Sequence, residues 1–137
     1  MTTTIAVLPG SGGWPRTGWV LTGFAALFLT FDTVLKLARL TPAVDGTVAL
    51  GYPAHLVVVI GAIELVCLVL YLVPSTSVLG AVLLTGYLGG AVATHVRIGS
   101  PLPSHTLFPL YVALVVWGGV YLRDARLREL LPFRRSG

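Results

Sequence analysis

The chain has 137 residues, of which 55% are hydrophobic and only 10% are charged, and its mean hydropathy is +0.90. A water-soluble domain carries about 25% charged residues because its surface must face water, so this composition excludes an ordinary soluble domain and indicates one polytopic membrane domain. The net charge of +4 does not indicate a nucleic acid partner, because the basic residues gather near the C-terminus, a pattern typical of cytoplasmic membrane anchoring.

Four apolar segments follow one another along the chain, each close to the length of about 20 residues that crosses a bilayer as a helix. The three breaks between them are rich in proline, glycine and serine, which end helices and form turns. We therefore expect an all-α fold, a polytopic transmembrane four-helix bundle in contact with the lipid bilayer. The expected order is a flexible N-terminal tail (1–16), a transmembrane domain (17–122) with helices at about 17–40, 53–73, 77–97 and 105–122, and a basic cytoplasmic tail (123–137).

The third segment, 78–95, has no Asp, Glu, Lys or Arg and is rich in small residues. Gly86 and Gly90 are four residues apart, and Thr85 and Gly89 form a second pair with the same spacing. Small residues at this spacing let a neighbouring helix come close in a membrane, where packing replaces the hydrophobic drive. We predict that Gly86, Gly89 and Gly90 are helix-packing residues and that the other helices pack around this one. If the glycines faced lipid instead, they would form the surface of a homo-oligomer.

The distribution of Lys and Arg predicts the orientation of the helices. Loops on the cytoplasmic side of a membrane carry an excess of basic residues. In the predicted topology, six basic residues lie on the side of the two termini and three on the other side, so both termini are expected in the cytoplasm. The six are Arg16, Arg123, Arg126, Arg128, Arg134 and Arg135, and the three are Lys36, Arg39 and Arg97.

Ionisable residues of the four segments converge on one level of the predicted bundle. Asp32 and Lys36 are four residues apart, so they lie on the same helix face, and Glu64 lies near the middle of the second segment. Ionisable groups inside a membrane are costly and usually meet a partner, a cavity or a ligand. Two interpretations stay open: the residues lock the helices together, or they line a polar pocket on the outer side that holds a small headgroup and exchanges protons. The candidates for ligand binding or proton exchange are Asp32, Lys36, Glu64, His95, Arg97 and His105.

No motif of a stand-alone enzyme accompanies these residues. His95 and His105 are expected at opposite edges of a loop, without the tight spacing of metal and haem ligands, so we predict no metal site. The chain has no phosphate-binding loop and no nucleophile elbow, and its one cysteine, Cys67, cannot form an internal disulfide. We expect no intrinsic cofactor and, at most, a subunit of an oxidoreductase complex. Glu64 needs a partner, for which Lys36, His95, an arginine, or the hydroxyl of Tyr71 or Thr94 would serve.

Several motifs along the chain resemble those of the DoxX-like family of small membrane proteins. The third segment, with Leu-Leu-Thr-Gly-Tyr-Leu-Gly-Gly-Ala-Val-Ala-Thr-His-Val-Arg at 83–97, is the most specific of them, and the resemblance extends over about 18–132. The other motifs are Leu-Thr-Gly-Phe at 21–24, Phe-Asp-Thr-Val-Leu-Lys at 31–36, Gly-Tyr-Pro at 51–53, Pro-Leu at 101–102, His-Thr-Leu-Phe-Pro at 105–109, Trp-Gly-Gly at 117–119 and Leu-Arg-Asp at 122–124.

This resemblance implies a four-helix bundle in the bacterial cytoplasmic (inner) membrane. The family takes its name from a subunit of a thiosulfate:quinone oxidoreductase, so by analogy it implies a quinone as ligand and redox-complex proteins as partners. The leading hypothesis is an accessory subunit or partner of a quinone-linked membrane redox system. In it, Glu64 and His95 would exchange protons or hydrogen-bond the headgroup, and Lys36 and Arg97 would hold negative charge. The alternatives are a membrane carrier for a small polar solute and a structural membrane scaffold without a ligand.

Overall fold

The computed structural model describes residues 14–131, which contain helices and turns and no β-strand. Most of the predicted N-terminal tail, and the end of the basic tail with Arg134 and Arg135, lie outside the described residues. A short 3₁₀ turn precedes α4 and a π-helical turn precedes α5. The helices are α1 (Trp14–Leu37), α2 (Thr41–Ala49), α3 (Leu56–Leu72), α4 (Ser77–Ile98), α5 (Phe108–Arg123) and α6 (Ala125–Leu130).

The four long helices, α1, α3, α4 and α5, form a closed ring. α1 packs against α3 and α5, and α4 packs against the same two helices. Helices that follow one another along the chain are thus neighbours, as in an up-down-up-down bundle. The short helix α2 lies between α1 and α3 at one end, which we call the α2 end. The opposite end holds the start of α1, the α3–α4 turn and α6, and we call it the termini end. The predicted all-α membrane bundle is confirmed.

The outer surface of the bundle is apolar enough to face hydrocarbon. Three helical stretches are long and apolar enough to cross a membrane, namely Pro15–Leu37, Pro74–Ile98 and Leu102–Arg123. α3 is a shorter apolar helix of 17 residues, at the lower end of the range of about 17–25 residues that span a bilayer. On α1, Val20 and Leu27 are 70% and 73% exposed. Large apolar side chains exposed in this way along a helix face indicate contact with lipid.

Local chemistry accounts for where the helices end. α4 ends at Ile98, and Gly99, which follows it with a φ of 71°, donates its amide hydrogen to the Val96 carbonyl of the last turn. Glycine adopts this left-handed conformation without the steric cost of a Cβ. The π-helical turn at 102–106 then delays α5 until Phe108, three residues after the predicted start, with Pro109 in its first turn. Similarly, α3 begins at Leu56, where the prediction started the helix at residue 53.

Close helix approaches occur at glycines other than the predicted ones. A Cβ added at Gly86, Gly89 or Gly90 would meet no atom within 4 Å, so the prediction that these residues pack the helices of this chain together is wrong. The prediction that the other helices pack around α4 is also wrong, because α4 is one side of the ring. In contrast, a Cβ added at Gly80 would overlap the backbone of Tyr71 and lie 2.7 Å from the carbonyl carbon of Leu70. The termini half of the α3–α4 pair is therefore packed backbone to backbone.

Tyr71 connects three of the long helices at the termini end. Its side chain is fully buried, and its hydroxyl donates to the carbonyl oxygen of Val116 on α5, 2.9 Å away. The hydroxyl also lies 3.4 Å from Thr22 Oγ1 on α1. Arg123 Nη2 donates to the Tyr71 carbonyl at 3.2 Å, which satisfies one of the last carbonyls of α3. Tyr71 is thus a packing residue and not the hydrogen-bond partner of Glu64.

The glycine contacts predict opposite effects of the same substitution at two positions on α4. Gly80→Ala should lower the free energy of unfolding by about 1–3 kcal/mol, because the new methyl group meets backbone atoms that cannot rotate away. Gly89→Ala should raise it by up to about 1 kcal/mol, because alanine has the higher helix propensity and meets no neighbour. Unfolding of both variants in mixed micelles would check this prediction, and a Gly80→Ala protein as stable as the wild type would contradict the packing of α3 on α4.

Candidate functional site

A cavity of about 760 Å³ lies at the α2 end, surrounded by the four long helices and α2. Its walls are mostly apolar, and this size falls within the range of about 300–1,000 Å³ of small-molecule sites. The ionisable groups of its wall lie in two places: a charged cluster on α1, α3 and α4, and a pair of histidines near the α4–α5 connection. Such a cavity, apolar with few convergent polar groups, is the form expected of a site for an amphiphilic molecule.

The charged cluster is centred on the ammonium group of Lys36. It forms an ion pair with Asp32 on the same helix and a second ion pair with Glu64 Oε2 on α3, at 2.8 Å. It also donates to the hydroxyl of Tyr87 on α4, at 2.8 Å. The Tyr87 hydroxyl in turn donates to Glu64 Oε2, at 3.2 Å. The three N–H donors of a lysine therefore meet one partner on each of three helices.

Within the cluster, Glu64 combines full burial with incomplete hydrogen bonding. The side chain of Glu64 has no exposed surface, whereas those of Lys36 and Asp32 are 16% and 36% exposed. A buried carboxylate is tolerated only when it is paired and hydrogen-bonded, since it has lost its hydration. Glu64 Oε2 has two partners, but Glu64 Oε1 is buried and has none within residues 14–131. Glu64 lines the cavity, so this buried acceptor lies next to the cavity wall.

A glycine on α3 determines which residue of α1 meets Glu64. Gly61 lies three residues before Glu64, on the neighbouring turn of α3. A Cβ added there would lie 2.8 Å from Lys36 Cβ and 3.3 Å from Leu37 Cδ2. The missing side chain lets α1 approach α3 closely at the level of Lys36, and this approach brings the ammonium group within reach of the carboxylate.

His95 and His105 meet at the α4–α5 side of the cavity. Their ring centroids are 6.2 Å apart in an edge-to-face arrangement, which differs from the expectation that a loop would separate them. The π-helical turn at 102–106 folds the connection back toward α4, and Thr106 Oγ1 donates to the Ser100 carbonyl at 3.1 Å. Nδ1 of His95 lies 2.9 Å from Ser100 Oγ, and Nδ1 of His105 lies 2.8 Å from Ser104 Oγ. These contacts leave Nε2 of each ring as the nitrogen for a further partner.

Five of the six predicted site residues line the cavity, and Arg97 does not. Arg97 is exposed and donates through Nη2 to the Leu50 carbonyl, 2.7 Å away. It therefore joins the end of α4 to the α2–α3 connection instead of reaching the charged cluster. A second bond between these elements joins the Tyr52 hydroxyl to Thr94 Oγ1, at 3.0 Å.

Two parts of the site were not predicted from the sequence. Tyr87 appeared only within the family motif, although a tyrosine in the middle of an apolar helix is a signal that its hydroxyl has a buried partner. The covering helix α2 falls in a stretch, 41–52, that the sequence predicts as a loop with at most a short interfacial helix at 47–51. The helix instead begins at Thr41, with Pro42 in its first turn, where proline favours a helix start. Thr94 was considered as a partner of Glu64, but it bonds to Tyr52 and to the Gly90 carbonyl.

The sequence matches the DoxX-like family over residues 20–119. The chain belongs to the DoxX-like family. Neither a curated protein nor a solved structure matches this chain. The matched range begins in α1 and ends in α5, so it includes the charged cluster, α2 and both histidines. This DoxX-like protein is thus a small membrane protein whose helices contact the lipid bilayer, with its cavity inside the region that defines the family.

Because Lys36 is paired with Glu64, we expect substitutions at these two positions to have large effects on stability that do not add. Lys36→Met should lower the free energy of unfolding by about 3–5 kcal/mol, because it leaves the carboxylate of Glu64 buried without its ion pair. The double variant Lys36→Met/Glu64→Gln should recover part of this loss, because it removes the uncompensated charge as well. Unfolding of the wild type, both single variants and the double variant in mixed micelles would measure the coupling. Additive effects of the two substitutions would contradict the ion pair between α1 and α3.

Proposed function

We propose that this DoxX-like protein binds a quinone-like molecule in the cavity at the α2 end and acts as an accessory subunit or partner of a membrane redox system. The proposal rests on one observation: a charged cluster lies at the wall of an apolar cavity. The cluster consists of Lys36, Asp32, Glu64 and Tyr87. A buried polar network next to apolar walls suits a molecule with a small polar head and an apolar remainder. In this proposal the protein is not a stand-alone enzyme, and its partner supplies the electrons.

The chemistry of the cluster fits both redox forms of a quinone headgroup. The oxidised form has two carbonyl oxygens, which accept hydrogen bonds, and the reduced form has two hydroxyl groups, which also donate them. Lys36 and Tyr87 supply donors, and Glu64 Oε1 supplies an acceptor without a partner within residues 14–131. Reduction of a quinone takes up two protons together with two electrons. Glu64 and the histidine pair His95 and His105 are the groups along the cavity that exchange protons in this proposal.

The distribution of polar groups favours one-sided access over a carrier. A carrier needs a route to both surfaces of the membrane. In the termini half, the centre of the bundle is filled by side chains with 0–1% exposure, such as Tyr71, Leu84, Val116 and Val120. A redox partner needs only one open side, so this packing supports the quinone-binding proposal over the carrier. The scaffold alternative makes a different prediction: it requires that the cluster stabilise the bundle and bind nothing.

We also propose that the protein lies in the bacterial inner membrane with both termini in the cytoplasm. The support is the excess of basic residues at the termini. An alkaline phosphatase reporter, which is active only outside the cytoplasm, should be inactive when fused after Gly137 and active when inserted after Ser104 at the α2 end. The opposite pattern would contradict this orientation and would place the cavity on the cytoplasmic side.

Ligand binding is tested by replacing Glu64 and a matched acidic residue. Glu64→Gln should weaken binding of a benzoquinone with a ten-carbon tail by about tenfold, which corresponds to the loss of one hydrogen bond to a charged group. Asp45→Asn is the control, because Asp45 is exposed on α2 and does not line the cavity. Titration of each protein in lipid nanodiscs would measure the affinity, and thermal unfolding would separate a loss of fold from a loss of binding. If the stable wild-type protein binds no quinone, the proposal fails and the scaffold alternative gains support.

A further inference from the structure

Three of the four seams between the long helices are closed at the level of the cavity. Between α1 and α3, Gly61 lies against Lys36 and Leu37. Between α1 and α5, the rings of Phe28 and Phe108 meet edge to face with their centroids 5.4 Å apart. The seam between α4 and α5 is closed by the contact of the two histidine rings and by the Thr106–Ser100 hydrogen bond described above.

The fourth seam, between α3 and α4, widens from the termini end toward the α2 end. At Gly80 the two helices touch backbone to backbone, with no room for a methyl group. Two turns further along α4, at the charged cluster, the contact between them is a hydrogen bond from the Tyr87 hydroxyl to the Glu64 carboxylate, at 3.2 Å. Two long side chains meeting tip to tip span a wider gap than a backbone contact does. The two helices therefore diverge as they run toward the cavity.

The cavity extends through this widened seam to the outer face of both helices. Successive residues of an α-helix are rotated by about 100°, so Val59 lies about 140° around α3 from Glu64, and Gly90 lies about 160° around α4 from the buried Leu88. All four residues nevertheless line the same cavity. Val59 is 50% exposed, and Gly90 is exposed as well. A cavity wall that continues this far around two neighbouring helices indicates an opening to the membrane between them. We call this opening the α3–α4 window.

The window has a defined frame. The Tyr87–Glu64 hydrogen bond lies at its termini side. The Tyr52–Thr94 hydrogen bond lies at its α2 side. Between these two bonds, the residues of α4 that line the cavity are Leu88, Gly90 and Ala91. Leu88 is buried on the interior side of α4, so only the small residues Gly90 and Ala91 remain at the gap. At the end of the bundle, α2 contributes part of the cavity wall, and the Arg97–Leu50 hydrogen bond holds the α2–α3 connection against α4.

We infer that the ligand of this cavity enters sideways from the bilayer through the α3–α4 window, with its apolar tail left lying between Val59 and Gly90. The inference rests on the proposed function and specifies its ligand class: a membrane-dissolved amphiphile with a long apolar tail and not a water-soluble solute. The apolar walls of the window match a hydrocarbon or isoprenoid chain. The charged cluster lies at the inner edge of the window, where it meets the polar head.

The test uses two adjacent glycines that differ in whether they line the cavity. Gly90→Phe places a ring in the window, whereas Gly89→Phe places the same ring elsewhere on the surface of α4, because Gly89 does not line the cavity. Neither substitution meets an atom within 4 Å at Cβ. The probes are a benzoquinone with a ten-carbon tail and the same headgroup without a tail. Gly90→Phe should weaken binding of the tailed probe by about tenfold and leave binding of the tail-less probe unchanged, and Gly89→Phe should change neither.

The outcomes separate the window from the proposed function. If Gly90→Phe binds the tailed probe as well as the wild type does, or weakens both probes equally, the window is overturned. The proposed function then still stands if Glu64→Gln weakens binding. A wild type that binds neither probe overturns quinone binding, and a phospholipid with a photoreactive acyl chain then tests the window alone. Crosslinks to the interior cavity residues Leu88 and Val112 would support chain entrance through the window. Crosslinks confined to the outer surface of the bundle would overturn it.

Discussion

The position of one ammonium group constrains the α2 half of this bundle. The ammonium group of Lys36 forms ion pairs with Asp32 on α1 and Glu64 on α3, and it donates a hydrogen bond to Tyr87 on α4. Each partner alone would be a costly polar group in an apolar setting. Their mutual satisfaction requires α1, α3 and α4 to keep one register and one set of distances. The cluster therefore stabilises the arrangement of the helices and, by the same contacts, creates a preorganised polar wall for the cavity.

The two halves of the bundle are built in different ways, and the difference creates the site. In the termini half, Gly80 and Gly119 allow close backbone approaches, and Tyr71 fills the centre. In the α2 half, α1 still approaches α3 closely at Gly61, but the hydrogen bond between the long side chains of Tyr87 and Glu64 holds α3 and α4 apart. Close packing in one half supplies the dispersion and area burial that stabilise a helix pair. The polar spacers in the other half hold a cavity open that an apolar core would collapse to fill.

The sequence predicted the helical class, the number of long helices and the same-face pair Asp32–Lys36, because these follow from local spacing and composition. It identified Glu64 as a group in need of a partner, but it could not select Lys36, since that choice depends on the close approach of α1 at Gly61. The glycine spacing at Gly86 and Gly90 was misleading for a related reason. Small residues permit a close approach, yet only the packing of the whole bundle decides where it occurs, and here it occurs at the less conspicuous Gly80.

Because Gly90 does not pack against another helix, its presence in α4 needs a different explanation. Gly90 brings no helix close, and its missing side chain leaves the gap between α3 and α4 open next to the charged cluster. A leucine or phenylalanine at this position would gain helix propensity and apolar contact, so stability alone does not favour glycine there. Function offers a reason, because an amphiphile that reaches a buried headgroup site from the bilayer needs a gap at the same depth as the site. The stretch of glycines that suggested helix packing is, on this argument, the feature that keeps packing incomplete where a ligand must pass.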